Sequence, residues 1–161
     1  MILHEPDEAI LLELGRLAWT SMNLETHALW VCALIDAQIN DQAISARLSK
    51  AKSRLDPSSQ FDHVRAWIDR TVAAIDEERN QVLHAMPLFG ATPDSPAAFD
   101  MLGVLPKAAT SKRPARHARQ RPLTVAELSS ARERLEGVYG ESDEIIFCLA
   151  SWRKTLADRQ V

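Results

Sequence analysis

Arg79 and His84 are the two side chains whose types and spacing point most directly to chemistry. They close the stretch Glu77-Glu78-Arg79-Asn80-Gln81-Val82-Leu83-His84. A guanidinium carries a permanent charge and a fork of donors suited to phosphate oxygens, and an imidazole gains and loses its proton near neutral pH. RNA can be cleaved by its own 2′-hydroxyl without a metal or cofactor, provided one group takes a proton and another holds the developing negative charge. His84 and Arg79 match those two tasks. Rival chemistries leave no trace in the sequence. His4, His27, His63 and His117 lack zinc spacing. Neither a Gly-rich phosphate loop nor a Gly-x-Ser-x-Gly elbow occurs.

The element that must carry this pair is a helix. Phe61, Val64, Ile68, Val72, Ile75, Arg79 and Val82 recur in steps of three and four, so Arg79 falls on or beside an apolar stripe. Asn80 and His84, four apart, share a face of that predicted helix, with Arg79 one residue round from it. Pro87 cannot continue the helix and disfavours helical geometry at Met86. His84 is therefore expected in the last turn, where the helix dipole favours its protonated form.

Three further segments complete the expected architecture. Ile10, Leu14, Leu17, Ser21, Leu24, Ala28, Val31 and Ile35 mark a long first helix. Asn40 and Asp41 read as a cap for a shorter second one with Ile44, Leu48, Ala51 and Leu55, and Asp56-Pro57 reads as the start of the third. Thr124-Val-Ala-Glu127 is a capping box. It opens a fourth helix along Leu128, Ala131, Leu135, Val138, Ser142, Ile145, Leu149, Trp152 and Leu156, with a kink or break allowed at Gly137 and Gly140. Trp19, Trp30, Trp67 and Trp152 fall at helical positions as core or interface anchors. No strand-like alternation of useful length appears. The expectation is an all-α, up-and-down bundle of four main helices in a single domain over residues 1–161, with a long irregular loop over about 88–122 before the last helix.

Of the 161 residues 46% are hydrophobic, enough for one buried core. The net charge of -3 conceals an uneven distribution. Lys107, Lys112, Arg113, Arg116, Arg119 and Arg121 lie in a stretch from Met101 to Ala126 without Asp or Glu. Lys112, Arg113, Arg116, Arg119 and Arg121 are thus candidate RNA-binding residues on an otherwise acidic body; a solvated connection is the plainer alternative. Cys32 and Cys148 sit in apolar helical surroundings, as reduced core thiols in a cytoplasmic protein would. The N-terminus carries acids where a secretory signal needs Lys or Arg. The longest uncharged apolar run, Ala28 to Ile35, is too short to span a bilayer.

With helix order and the run Arg79-Asn80-Gln81-Val82-Leu83-His84 on the page, the chain resembles the HEPN domains. These are all-α bundles with an Arg, four to six residues and then a His near a helix end. The resemblance covers roughly residues 8 to 158 in outline, with Arg79 to His84 its specific part. It implies a metal-independent endoribonuclease of toxin or defence type, with no cofactor and RNA as substrate. It also implies a homodimer whose shared site joins Arg79 and His84, with Asn80 orienting, and a toxin of this kind would call for a neutralising protein partner. The third helices would approach one another, and the stripes of helices one and four would supply the apolar contact. Other members are inactive scaffolds, so a non-catalytic helical interaction module stays open. In that alternative Arg79 pairs with a carboxylate such as Glu25 or Glu78, and His84 caps its helix.

The prolines, missing period and unpaired positive charge over 92–122 make that segment the expected site of first proteolytic attack. Limited digestion with trypsin should cut first between Lys112 and Arg121. Initial cuts inside the predicted helices would contradict this.

Overall fold

In the computed structural model the backbone is described for residues 8–40, 43–79, 86–87, 102–103 and 122–159. Along it run α1 (Glu8–Ile35), α2 (Ile44–Arg54), α3 (Asp62–Ala74), α4 (Val125–Gly140) and α5 (Ser142–Asp158). A 3₁₀ turn, Ser59–Phe61, precedes α3, and a π-helical turn, Ile75–Arg79, extends it. The fold is an all-α bundle.

α1 is the axis of the core. Its stripe from Ile10 to Ile35 is buried, with Leu14 partly covered. Against it lie Leu48 and Ala51 of α2, Leu128, Leu135 and Val138 of α4, and Ile145 and Leu149 of α5. Cross-contacts set the directions. Glu13 meets Arg132, His27 meets Ser142, and the Leu34 carbonyl meets Arg153. α1 therefore runs parallel to α4 and α5 along its whole length. α3 returns the other way: Phe61 meets Trp152 edge to face, Trp67 reaches Val138, and the π turn packs on α4.

The expected fourth helix is divided at Glu141. Ending α4 at Gly140 frees carbonyls in its last turn, which then need other donors. The Trp67 indole Nε1 donates to the Val138 carbonyl at 2.9 Å in the buried core, and the Ser142 hydroxyl donates to the Tyr139 carbonyl at 2.6 Å. Arg70 pairs with Glu141 at the break. Its N-terminal signal holds as expected: the Thr124 hydroxyl accepts from the Glu127 amide and the Glu127 carboxylate from the Thr124 amide.

Three other expectations change. α2 starts without Asn40 or Asp41: its N-cap is Ala43, with no side-chain cap, and Asp41 lies outside the described residues. α3 begins at Asp62 because Arg65 takes the carbonyls of Asp56, Pro57 and Ser58 and the Asp62 carboxylate, while the Asp56 carboxylate accepts from the Ser58 amide. The chain there turns instead of entering a helix. Three two-residue strands, β1 (Met86–Pro87), β2 (Leu102–Gly103) and β3 (Pro122–Leu123), pair antiparallel in that order. Segments this short have no period to read. Pro87 and Pro122 occupy the edge strands, where a missing N–H costs the ladder least.

Trp67→Phe would leave the Val138 carbonyl without its buried donor and a small void beside it. We expect a loss of about 1–3 kcal/mol in urea unfolding. An unchanged midpoint would show that the indole N–H is not needed at the break.

Candidate functional site

The sequence site begins where α3 changes pitch. Its α-helical part ends at Ala74, and Ile75–Arg79 continues as a π turn that packs against α1 and α4. Arg79 closes this turn, and only its backbone is described. Asn80, His84, Lys112, Arg113, Arg116, Arg119 and Arg121 lie outside the described residues. The face that Asn80 and His84 are expected to share therefore lies outside the described residues, and the last described turn before it, Ile75–Arg79, is π-helical. Glu25 is half-buried on α1.

Two polar clusters are described in full. In the first, Glu13 is buried between α1 and α4. Its carboxylate accepts from Arg16 Nη1 at 2.7 Å and from Arg132 Nε at 3.0 Å. Arg132 Nη1 in turn donates to both Glu136 oxygens at 2.8 Å, and its Nη2 to Ser129 Oγ at 3.3 Å. The Arg16 hydrogen bond, and after it that of Arg132, holds the Glu13 carboxyl below the ordinary glutamate range, while Glu136 and Glu13 raise the Arg132 guanidinium. A carboxylate kept ionised and engaged at both oxygens is a clamp between helices. It has no proton to give.

The second cluster brings together residues 115 positions apart, which no local spacing in the sequence announces. His27 Nδ1 lies 2.7 Å from Ser142 Oγ and 3.6 Å from Asp143 Oδ1. The ring stacks on Trp30 at 5.2 Å and tilts against Tyr139 at 4.9 Å. Ser, His and Asp together invite a comparison with nucleophilic catalysis, where the histidine must accept the serine proton. The bonding here runs in the other sense: the Ser142 hydroxyl gives its proton to the Tyr139 carbonyl, so Nδ1 donates to Oγ. Ser142 is also fully buried. This cluster locks α1 to the α4–α5 break.

Cys32 is buried, and desolvation pushes its thiol up to about 11, which leaves it protonated and unreactive. Cys148 is half-buried. Among the described residues no group of three His, Cys, Asp or Glu is arranged to hold a metal ion. No helix among them is long and apolar enough to cross a membrane. Trp67 is core, Trp152 partly so, and Trp19 and Trp30 stand exposed on α1.

Comparison with protein-family models, with curated proteins and with solved structures yields no match.

The Glu13 clamp sets a pH dependence. A carboxyl whose folded pKa is depressed contributes stability above its unfolded value and loses it as pH falls through the folded value. The melting temperature should therefore drop on acidification below the ordinary glutamate value of 4.5. Glu13→Gln should melt lower at neutral pH and show a shallower acid limb. Parallel acid limbs for the two proteins would remove Glu13 as the cause.

Proposed function

We propose that the chain is a metal-independent endoribonuclease of the HEPN kind, acting as a homodimer, with Arg79 and His84 catalytic and Asn80 orienting. The observation that carries this reading is the π turn at Ile75–Arg79. Such turns appear mostly as isolated interruptions of α-helices and recur at functional sites. Here one coincides with the arginine that the motif selects. Its packing on α1 and α4 gives Arg79 a backbone anchored to the core.

In this reaction His84 takes the proton of the 2′-hydroxyl, whose oxygen attacks the neighbouring phosphorus. Arg79 holds the charge gathering on the phosphoryl oxygens. The bond to the 5′ oxygen breaks, and a protonated His84 from the second chain returns a proton to that leaving group. The products are a 2′,3′-cyclic phosphate and a 5′-hydroxyl. Lys112, Arg113, Arg116, Arg119 and Arg121 would bind the RNA backbone, and a neutralising protein would answer the toxin role.

A second reading, a non-catalytic helical interaction module, is favoured by the large apolar side chains that α1 leaves exposed, Trp19 and Trp30 among them. Under it Arg79 and His84 serve the fold alone.

Cleavage of single-stranded RNA in the presence of EDTA, with cyclic phosphate ends, separates the two. Arg79→Ala should cost about 10²–10³-fold in rate. His84→Ala should cost about 10²–10⁴-fold. Both variants should melt like the wild type. Inactive wild-type protein, together with variants destabilised by about 1 kcal/mol or more, would establish the interaction module instead.

A further inference from the structure

α1 carries two apolar seams, and among the described residues only one of them is packed into the core. The inner seam, from Ile10 to Ile35, is buried, so the stripe expected to join two chains is the core of one. On the other side Leu12, Gly15, Trp19, Met22, Thr26 and Leu29 follow in alternating steps of three and four, and all are exposed. This spacing holds a line of side chains toward a partner helix in a coiled coil. No charge interrupts it. Leu11 and Trp30 flank it, also exposed.

Trp19 is 65% exposed, Met22 59% and Trp30 54%. The six large apolar residues of this face present on the order of 600 Å², the top of what a monomer ordinarily shows and most of the ~800 Å² per partner of a stable interface. α3 exposes no large apolar side chain among its described residues.

The order of the seam selects its occupant. About a point between Thr20 and Ser21, Leu12 is matched by Leu29, Leu11 by Trp30, Trp19 by Met22, and Gly15 by Thr26. A two-fold contact demands this self-matching, because residue i then meets residue j while j meets i. At Gly15 a Cβ would meet nothing within 4 Å, so the seam has open space there for a second helix to approach. Thr26 Oγ1 already donates to the Met22 carbonyl at 2.9 Å and Asn23 Nδ2 to the Trp19 carbonyl at 3.0 Å, so covering the seam strands neither donor.

We infer that two copies of this chain pair through the outer seams of α1, antiparallel, about a two-fold axis level with Thr20 and Ser21. The pairing rests on burial and spacing and stands whether or not the chain cleaves RNA.

Light scattering of the full chain at micromolar concentration should give twice the 18.0 kDa of one chain. Trp19→Lys and Met22→Glu, each at the centre of the seam, should each give the single-chain mass with wild-type helical circular dichroism. Mixed in equal amounts, the two variants should recover the dimer, because antiparallel pairing sets position 19 of one chain against position 22 of the other. Should either lose its helical signal, Leu12→Glu and Leu29→Lys repeat the same exchange at another matched pair. A monomeric wild type, or variants that remain dimeric, would overturn the surface. Folded monomeric variants that fail to reassociate on mixing would overturn the antiparallel register.

Discussion

The hydrogen bond from the Trp67 indole to the Val138 carbonyl is the contact on which the rest of the bundle hangs. It is made at the one place where the last helical stretch stops and restarts, and it comes from the helix that runs the opposite way. Without a donor there, a buried carbonyl would go unpaired at a cost comparable to a sizeable share of a small domain's stability. The same junction receives Arg70 from α3 through Glu141 and His27 from α1 through Ser142. Three helices are thus registered against each other by polar contacts at one level, while the apolar stripes above and below supply the bulk of the attraction.

Much of this architecture was legible in the sequence, for identifiable reasons. Long stripes survive reading because each added turn repeats the signal: the α1 positions from Ile10 to Ile35 and the set from Leu128 to Leu149 are the observed core, apart from the partly covered Leu14. Thr124 and Glu127 were legible because a capping box is local chemistry. The start of α3 was not, since it depends on Arg65 gathering carbonyls seven to nine residues back. Neither was the outer seam of α1. A helix with apolar residues on two faces blurs the contrast that periodicity measures, and the inner stripe is the stronger of the two.

The candidate site was legible only as residue types. Arg79 and His84 stand in the sequence as a phosphate-directed pair, yet any face expected of Asn80 and His84 depends on helical pitch, and the described chain changes pitch at Ile75. Nothing in the residue types of Ile75-Asp76-Glu77-Glu78-Arg79 declares a π turn. The Ser142, His27 and Asp143 cluster teaches the complementary lesson. Its composition imitates a catalytic set, and only the direction in which Ser142 gives its proton shows it to be a lock.

The parallel course of α1 beside α4 and α5 governs how the chain can come into being. Glu13 and Arg132, like Leu34 and Arg153, are 119 residues apart, so α1 must wait for α4 and α5. At a synthesis rate of about 5–20 residues per second that wait is on the order of ten seconds, with the outer seam of α1 and the part of its inner stripe that faces α4 and α5 bare. Such long-range closure also slows folding in free solution, since the loop entropy is spent before the contacts return it. A nascent chain of this design is therefore most vulnerable to aggregation before its C-terminal third is made, and a truncation that removes α5 would strand the very helix on which the core is built.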